Sequence, residues 1–180
     1  GGGVVHSGAQ SHVSFISKED TSRWNYNNIG IEPGMKDLYY TGFGAYSQLG
    51  NNSTANTKNF TLHQTFKMTN ASKVPVVQVS AGKNHTLVLK ADGSVLSYGY
   101  NDHGQLGTGF KNTNVVQAWN PIINSGAVQV SAGDEFSMVL MDDGTVLGFG
   151  YNGSNRLGSS SAGQDIPTPT TIATDVVYIS

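Results

Sequence analysis

A segment of this chain recurs further along it at a constant spacing, and this internal repeat limits the fold more than any other feature. Val77–Gly82 (Val-Gln-Val-Ser-Ala-Gly) returns as the same six residue types at 128–133, a spacing of 51 residues. At the same spacing, Leu96–Asn101 resembles Leu147–Asn152. Two copies that hold one register without a gap are not a chance match. We therefore expect a repeat architecture, in which each unit buries its apolar face against its neighbours.

A third copy lies nearer the start of the sequence and contains an insertion. Gly42–Gly50 aligns with Gly99–Gly107 at a spacing of 57 residues, whereas Ser7–His12 aligns with Ser80–His85 at a spacing of 73. The difference of 16 residues predicts an inserted segment at 21–36. We interpret 1–180 as a single domain made of repeat one at 4–76, repeat two at 77–127, repeat three at 128–176 and the start of a fourth repeat at 177–180.

Each unit is predicted to consist of four short antiparallel strands. In repeat two, Val77 and Val79 alternate with polar residues, as in a half-buried strand, and the apolar run at 86–89 follows as a second strand. Asp and Gly tolerate the positive φ of hairpin turns, so 91–93 is predicted to turn the chain. The third and fourth strands follow at 94–98 and 115–119. Tandem four-stranded units predict an all-β fold, a partial β-propeller ring of about three blades plus the start of a fourth.

Composition and charge exclude several classes of function. Charged residues make up 12% of the chain and the net charge is −2, so the basic surface of a nucleic-acid-binding protein is not expected. No apolar stretch approaches the ~18 residues of a membrane-spanning helix, so we expect no membrane insertion. Cysteine is absent, which removes disulfides and thiolate chemistry. No signal peptide is visible, which slightly favours the cytoplasm. A faint hint of secretion comes from six N-x-S/T sequons at Asn51, Asn52, Asn59, Asn70, Asn84 and Asn152.

The repeat resembles that of the regulator of chromosome condensation family. The similarity rests on Val-x-Val-Ser-Ala-Gly-x-x-His-Thr, then Asp-Gly, then Tyr-Gly-x-Asn and Gly-Gln-Leu-Gly, all present between Val77 and Gly107. Repeat three departs from it at Phe136, where His is usual, and at Arg156, where Gln is usual. The resemblance implies a seven-bladed ring, which needs roughly 350 residues. We therefore expect the remaining blades to come from the rest of a longer chain or from other copies.

Motifs that look like active sites are better explained by the repeat. Gly148–Gly153 fits G-x-G-x-x-G, but a dinucleotide site needs a helix after the glycines, whereas the repeat predicts a loop between strands. Asp142-Asp143-Gly144 aligns with the turn at 91–93, so its paired carboxylates are expected in a hairpin. His12 and His85 share one repeat position and are expected to be structural, and the histidines lack metal-ligand spacing. We therefore expect no enzyme: no catalytic residue, no cofactor and no metal.

The insertion at 21–36 is the first candidate binding site. It replaces a tight hairpin turn of the other two repeats, so the blade itself does not require it. It carries Arg23, Trp24 and Tyr26, residue types that are enriched at the energetic centres of interfaces. Long loops on rigid scaffolds commonly carry function. The alternative is a solvated decoration, or a loop folded back over its own blade.

Loops that run from a glycine to a buried leucine are the second candidate. They occupy equivalent places in the three repeats, so they are expected to cluster on one side of the ring. His103 is expected to lie in such a surface loop, free to contact a partner. The residues within these loops differ between repeats, whereas the flanking glycine and leucine are retained. This pattern is equally consistent with recognition of a partner and with neutral variation of surface residues. The residues that we assign to partner binding here are Tyr46, Asp102, His103 and Asn155.

These features predict a protein-interaction scaffold that binds partner proteins through its rim loops and the 21–36 insertion. The resemblance to exchange factors of the family, which press a wedge from one blade against a small GTPase, gives a first alternative. In that alternative the chain is a guanine-nucleotide exchange factor or another regulator of a small GTPase. A bacterial inhibitor of β-lactamase with the same fold gives a second alternative, a secreted enzyme inhibitor.

Overall fold

The structure is a computed structural model that describes residues 4–7, 12–16, 38–42, 44–63, 74–158 and 163–180. Within these segments the regular structure is strand, apart from a single 3-10 turn at Gly153–Asn155. None of the described segments forms a helix with the length and apolar character needed to cross a membrane. The strands are β1 (Val4–Ser7), β2 (His12–Ile16), β3 (Leu38–Gly42), β4 (Thr57–Leu62), β5 (Val76–Ala81), β6 (His85–Lys90), β7 (Val95–Asn101), β8 (Asn112–Ile123), β9 (Ala127–Ala132), β10 (Phe136–Met141), β11 (Val146–Gly150) and β12 (Ile166–Ala173).

The strands form three antiparallel sheets, each with four strands in sequence order: β1–β4, β5–β8 and β9–β12. We refer to these sheets as blades one, two and three. Blades two and three share one register at the spacing of 51 residues, since His85 pairs with Gly99 and Phe136 pairs with Gly150. The turn after β6 is the expected Asp-Gly hairpin, with a φ of 78° at Gly93. The prediction of propeller blades with four antiparallel strands is confirmed.

Apolar layers fill the spaces between the blades. Successive side chains of a strand point to opposite faces, so Val88 of β6 packs towards blade one while Leu87 and Leu89 pack towards blade three. Both faces of β6 are therefore buried, which explains its continuous apolar run. The layer between blades one and two contains Leu38, Val76, Val79, Val88, Leu96 and Tyr98. The layer between blades two and three contains Leu87, Leu89, Val95, Ile123, Ala127, Val130, Val139 and Phe149.

A glutamine side chain joins the first strands of neighbouring blades. Gln78 donates from Nε2 to the Val130 carbonyl and accepts from the Val130 N–H at Oε1, both at 2.9 Å. Gln129 makes the same pair of hydrogen bonds with Ile179, at 2.6 and 3.0 Å. A primary amide offers one donor and one acceptor side by side, like a peptide group, so it satisfies a strand that lacks a ladder partner there. The segment 177–180 thus lies against blade three as β9 lies against blade two.

Hydroxyl groups on the second strands attach each blade to the loop of the preceding blade. Ser137 Oγ donates to the Gln105 carbonyl and Thr86 Oγ1 donates to the Gln48 carbonyl, both at 2.8 Å. Because Ser137 gives its single proton to Gln105, its 2.9 Å contact with His85 Nε2 requires the imidazole to donate. His85 is completely buried, in agreement with its predicted structural role. The loops that carry candidate site residues are thereby tied to the core.

Candidate functional site

The second and third rim loops share an internal scaffold built on an asparagine, whereas the first loop has Gly44 at that position. Asn101 Oδ1 accepts from the Leu106 N–H at 3.0 Å, and Asn152 Oδ1 accepts from the Leu157 N–H at 3.1 Å. Each bond closes a short turn whose leucine is buried in the blade. An amide side chain is suited to this because Asn tolerates turn conformations and satisfies backbone groups that have no strand partner. The side chains between Asn and Leu are thus presented at the rim by a rigid frame.

A buried glutamine organises the interior of the first two loops. In the second loop, Gln105 Oε1 accepts from the His103 N–H at 2.9 Å and Gln105 Nε2 donates to Asp102 Oδ1 at 3.1 Å. In the first loop, Gln48 Oε1 accepts from the Tyr46 N–H at 2.9 Å. The backbones of Tyr46 and His103, both predicted to contact a partner, are therefore fixed by equivalent bonds.

The first loop lacks one bond of this arrangement. Ala45 stands where the second loop has Asp102, so no carboxylate is available to the amide of Gln48. Gln48 is fully buried, and its Nε2 has no acceptor among the described residues. A buried donor without a partner costs about 1–3 kcal/mol. The first loop is therefore held less tightly than the second.

Ring contacts connect the loops of successive blades. The rings of Tyr46 and Tyr100 lie with centroids 4.9 Å apart, and those of His103 and Tyr151 lie 4.6 Å apart. The two pairs occupy equivalent repeat positions, so the same tilted contact recurs at both blade junctions. The Arg156 guanidinium extends the series, with its carbon 4.4 Å from the Tyr151 ring centroid. This geometry is typical of a cation–π contact.

These contacts make one continuous surface across three blades. It is partly exposed, and it combines aromatic rings with charged groups of both signs. Aromatic and arginine side chains are the types that dominate the energetics of protein interfaces. We call it the rim surface and define it by Tyr46, Tyr100, Asp102, His103, Glu135, Tyr151 and Arg156.

His103 lies at the centre of the rim surface among carboxylates. Its Nδ1 is 3.1 Å from Asp165 Oδ2, and its Nε2 is 3.5 Å from Asp102 Oδ2 and 3.8 Å from Glu135 Oε2. The side chain is only 27% exposed. His103 is therefore held in place by its neighbours, and the exposed part of its side chain belongs to the rim surface. The packing of blade three against blade two places Asp165 next to the His103 imidazole. The imidazole also contacts the ring of Tyr151.

Asp165 and Lys111 extend the charged network beyond the rim surface. Lys111 Nζ donates to Asp165 Oδ2 at 3.1 Å. Burial alone would raise the pKa of Asp165, but hydrogen bonds from His103 and Lys111 hold it below its ordinary value. The two residues and Tyr151 border an open cavity of about 530 Å³. The rest of its lining comes from Gly163, Gln164 and Pro167.

Negative charge accumulates at the other end of the rim surface. The pKa of Tyr100 is raised, first because the nearby Asp102 carboxylate opposes ionisation of the phenol, with smaller contributions from burial, Tyr46 and Glu135. Lys83 Nζ lies 3.7 Å from Glu135 Oε1, an exposed pair that contributes little. The Tyr46–Tyr100 end is therefore aromatic and acidic.

The structure brings three of the predicted site residues together. Tyr46, Asp102 and His103 belong to the rim surface. Asn155 is exposed in the third loop beside Arg156, and its Oδ1 accepts from the Gly163 N–H at 2.9 Å. The insertion at 21–36, which includes Arg23, Trp24 and Tyr26, lies outside the described residues.

Sequence reasoning missed several members of this surface. Glu135 replaces Asn84 of the preceding repeat and Arg156 replaces Gln105, and these departures from the repeat were the available signals. Tyr151 recurs beside a glycine at the position of Tyr100, and it is partly exposed at the rim. Asp165 lies outside the repeated motifs, so no sequence signal marked it.

The glycine-rich motif lies at the end of a strand. The glycines at 148–153 end β11 and enter the 3-10 turn, so no long helix follows them. No group of three or more His, Asp and Glu side chains in the described part of the chain could hold a metal ion.

Two sequon asparagines, Asn84 and Asn152, are buried and closed to modification in the folded chain.

Family models match the chain over the repeats. Two models, both described as the regulator of chromosome condensation (RCC1) repeat, match it. One covers residues 37–89 and 92–140, which is more than half of the chain, and the other covers 76–105 and 127–156.

Relatives and solved structures show the same similarity. The chain is 39% identical over 82 residues to the E3 ubiquitin-protein ligase MYCBP2 of Danio rerio, covering 46% of this chain and 2% of that protein. It is 37% identical over 106 residues to the protein RCC2 homolog of Xenopus laevis, covering 58% and 20%. Prp20p of Saccharomyces cerevisiae, whose structure was described with its binding properties to Gsp1p and histones, superposes with a TM-score of 0.72 at 18% identity. That match covers 96% of this chain and 38% of Prp20p, so this chain spans only a minor part of each of these proteins.

Proposed function

The chain belongs to the regulator of chromosome condensation (RCC1) repeat family, and from that premise we propose that it is a protein-interaction scaffold that binds partner proteins through the rim surface and the 21–36 insertion. The observation that carries the proposal is the pair of equivalent ring contacts, Tyr46 with Tyr100 and His103 with Tyr151. They align the loops of three blades into one aromatic and charged surface. Binding of this kind needs no catalytic residue, cofactor or metal.

The rigidity of the loops supports recognition by shape. Gln105 and Asn101 fix the second loop from inside, so its exposed side chains lose little conformational freedom when a partner binds. Preorganisation of this kind lowers the entropic cost of association. Tyr151 and Arg156 are the residue types expected to anchor such an interface, and Trp24 in the insertion is a further anchor on sequence grounds.

Site-specific crosslinking tests the proposal. A photoreactive benzoylphenylalanine replaces Tyr46 or Tyr151 on the rim, and Asp143, in the hairpin at the other end of β10, serves as the matched control position. We expect partner protein to be captured from the two rim positions and not from the control. Equal capture from all three positions contradicts a rim interface.

Affinity measurements with the captured partner, purified, complete the test. Tyr151→Ala and Arg156→Ala are expected to weaken binding at least about tenfold each, as hot-spot truncations do. Trp24→Ala is expected to cost about 2 kcal/mol if the insertion takes part. Unchanged affinity in Trp24→Ala removes the insertion from the site, and unchanged affinity in the two rim variants removes the rim surface.

Regulation of a small GTPase is the second candidate function. Family membership favours it, and Prp20p, described with its binding to Gsp1p, shares the fold. Such regulation is tested by the release of fluorescent guanine nucleotide from a panel of purified small GTPases. Faster release from one member in the presence of the chain supports exchange activity, and unchanged release from every member contradicts it. The ligase activity named for MYCBP2 is not carried over, because the match covers 2% of that protein.

A further inference from the structure

Four residues at one end of the rim surface form a patch of two rings and two carboxylates. Tyr46 comes from the first loop, Tyr100 and Asp102 from the end of β7 and the second loop, and Glu135 from the turn before β10. We call this group the tyrosine–carboxylate patch. All four side chains are partly exposed.

The rings of the patch present a surface that attracts cations. Tyr46 and Tyr100 are tilted by 49° with centroids 4.9 Å apart, so their faces do not stack fully on each other. The face of a phenol ring carries the negative part of its quadrupole. A cation placed against such a face is attracted to it, and the attraction is stronger where the contact is shielded from water.

In the part of the chain that the structure describes, one of the two carboxylates beside the rings has no lysine or arginine partner. Asp102 and Glu135 contribute two carboxylates, and among the described residues Lys83 is the one lysine within ion-pair distance, 3.7 Å from Glu135. His103 contacts both carboxylates only through Nε2, at 3.5 and 3.8 Å, and its Nδ1 is committed to Asp165. Lys111 is likewise paired with Asp165 and is not available to the patch.

We propose that the tyrosine–carboxylate patch binds a lysine or arginine side chain of a basic segment in the partner protein. The cationic head lies against the exposed part of the Tyr46 and Tyr100 rings on the side of the carboxylates, and its charge balances the surplus at Asp102 and Glu135. Guanidinium and ammonium groups both satisfy this arrangement, and guanidinium does so better because it stacks flat on a ring and bonds a carboxylate in its own plane. The raised pKa of Tyr100 agrees with the negative potential that this requires. This inference rests on the proposed function and specifies its partner.

Two of the variants that test the patch remove a charge with little change in side-chain shape, and a third removes an aromatic ring. Asp102→Asn keeps Oδ1, which accepts from Gln105 Nε2, and replaces the charged carboxylate by a neutral amide of the same shape. Glu135→Gln does the same in the turn before β10, and Tyr100→Leu removes the ring. Asp142→Asn is the matched control, because it removes one carboxylate about 20 Å away, at the far end of the six-residue strand β10.

The probe is a fluorescein-labelled octapeptide of Gly and Ser with two arginines and two lysines. Its matched partner carries citrulline and acetyl-lysine at the same positions, so only the charge differs. Binding is measured by fluorescence anisotropy at low ionic strength, and the site is located by shifts of the backbone amide resonances of the ¹⁵N-labelled chain.

We expect the charged probe to bind and to shift the amides of the patch, while the neutral peptide binds at least about tenfold more weakly. Asp102→Asn, Glu135→Gln and Tyr100→Leu are each expected to weaken the charged probe about two- to fivefold, in line with exposed ion pairs and cation–π contacts. Asp142→Asn is expected to leave the affinity unchanged. Equal binding of the two peptides, or equal weakening by Asp142→Asn, overturns the inference.

The failure of this inference is distinguishable from the failure of the proposed function. In one outcome, the rim positions still crosslink to a partner, but the basic probe binds no better than the neutral one. This result refutes a basic partner segment and leaves the proposed scaffold function intact. Charge-dependent probe binding that is weakened in Asp102→Asn and Glu135→Gln but not in Asp142→Asn supports the patch even where crosslinks from rim and control positions are equal.

Discussion

His63 makes the stability of the chain depend on pH in a range where carboxylates contribute little. It lies directly after β4, only 1% exposed, between blades one and two. Its ring packs edge-on against Tyr40 at 5.4 Å and lies 5.8 Å from Tyr98. Burial lowers the pKa of His63 from 6.5 to about 4, although hydrogen bonds with the backbone of Leu49 and Gly50 oppose the change.

The direction and size of the effect follow from linkage. Below pH 6.5 the unfolded chain binds a proton at this imidazole, whereas the folded chain does not until the pH reaches about 4. The stabilisation from the neutral imidazole is therefore complete above pH 6.5 and is lost as the pH falls towards 4. Each pH unit between these values is worth about 1.4 kcal/mol, so the total loss is about 3 kcal/mol.

Urea unfolding at pH 7.5, 6, 5 and 4, for the parent chain and for His63→Phe, measures this loss. Phenylalanine keeps an aromatic ring against Tyr40 and Tyr98 and has no titrating group. The variant loses the backbone hydrogen bonds, so its stability at pH 7.5 is expected to be lower. The difference in unfolding free energy between the two proteins is expected to shrink by about 3 kcal/mol from pH 7.5 to 4. Parallel curves for parent and variant over this range refute the reasoning.

Three further changes test the rim loops and the blade junctions by urea unfolding at pH 7.5. Ala45→Asp supplies the acceptor that Gln48 Nε2 lacks and is expected to stabilise the chain by about 1 kcal/mol; a destabilised variant contradicts the equivalence of the first two loops. Gln78→Ala removes both hydrogen bonds to Val130 and is expected to cost about 2 kcal/mol, and a neutral effect shows that the amide does not join the blades. Gly99→Ala forces a side chain onto a φ of 121° and into the strand beside it, and is expected to cost about 3 kcal/mol or more; near-parent stability shows that the backbone adapts.

The propeller fold was predictable because the repeats within the chain can be aligned with one another. Comparison of the repeats at the spacing of 51 residues shows which positions keep their residue type, here called frame positions, and which vary. No sequence of another protein is needed for this comparison. Frame positions such as Asn101 and Leu106 proved to have one physical role, the bond from Leu106 N–H to Asn101 Oδ1 that closes the loop. Asp-Gly at 92–93 indicated its hairpin by local backbone preference alone.

The candidate site was predictable only in outline. Equivalent loops must lie at equivalent places on successive blades, so Tyr46, Asp102 and His103 were expected on one side. Which charges surround them depends on residues at variable positions, where the repeat carries no information. Glu135 occupies the place of a buried asparagine in the preceding repeat, and the sequence does not indicate that its carboxylate faces His103.

The sequence by itself determined the strand order, the turns and the positions of the rim loops, because these follow from a repeated pattern of buried and polar residues acting over a few residues. Only the tertiary structure decided that His103 is held by Asp165, that Arg156 lies on Tyr151, and that the tyrosine–carboxylate patch exists. The physical reason is distance along the chain. Contacts between blades join groups far apart in the sequence, 62 residues in the pair His103 and Asp165, and side-chain chemistry at such range is set by how whole sheets pack rather than by local sequence.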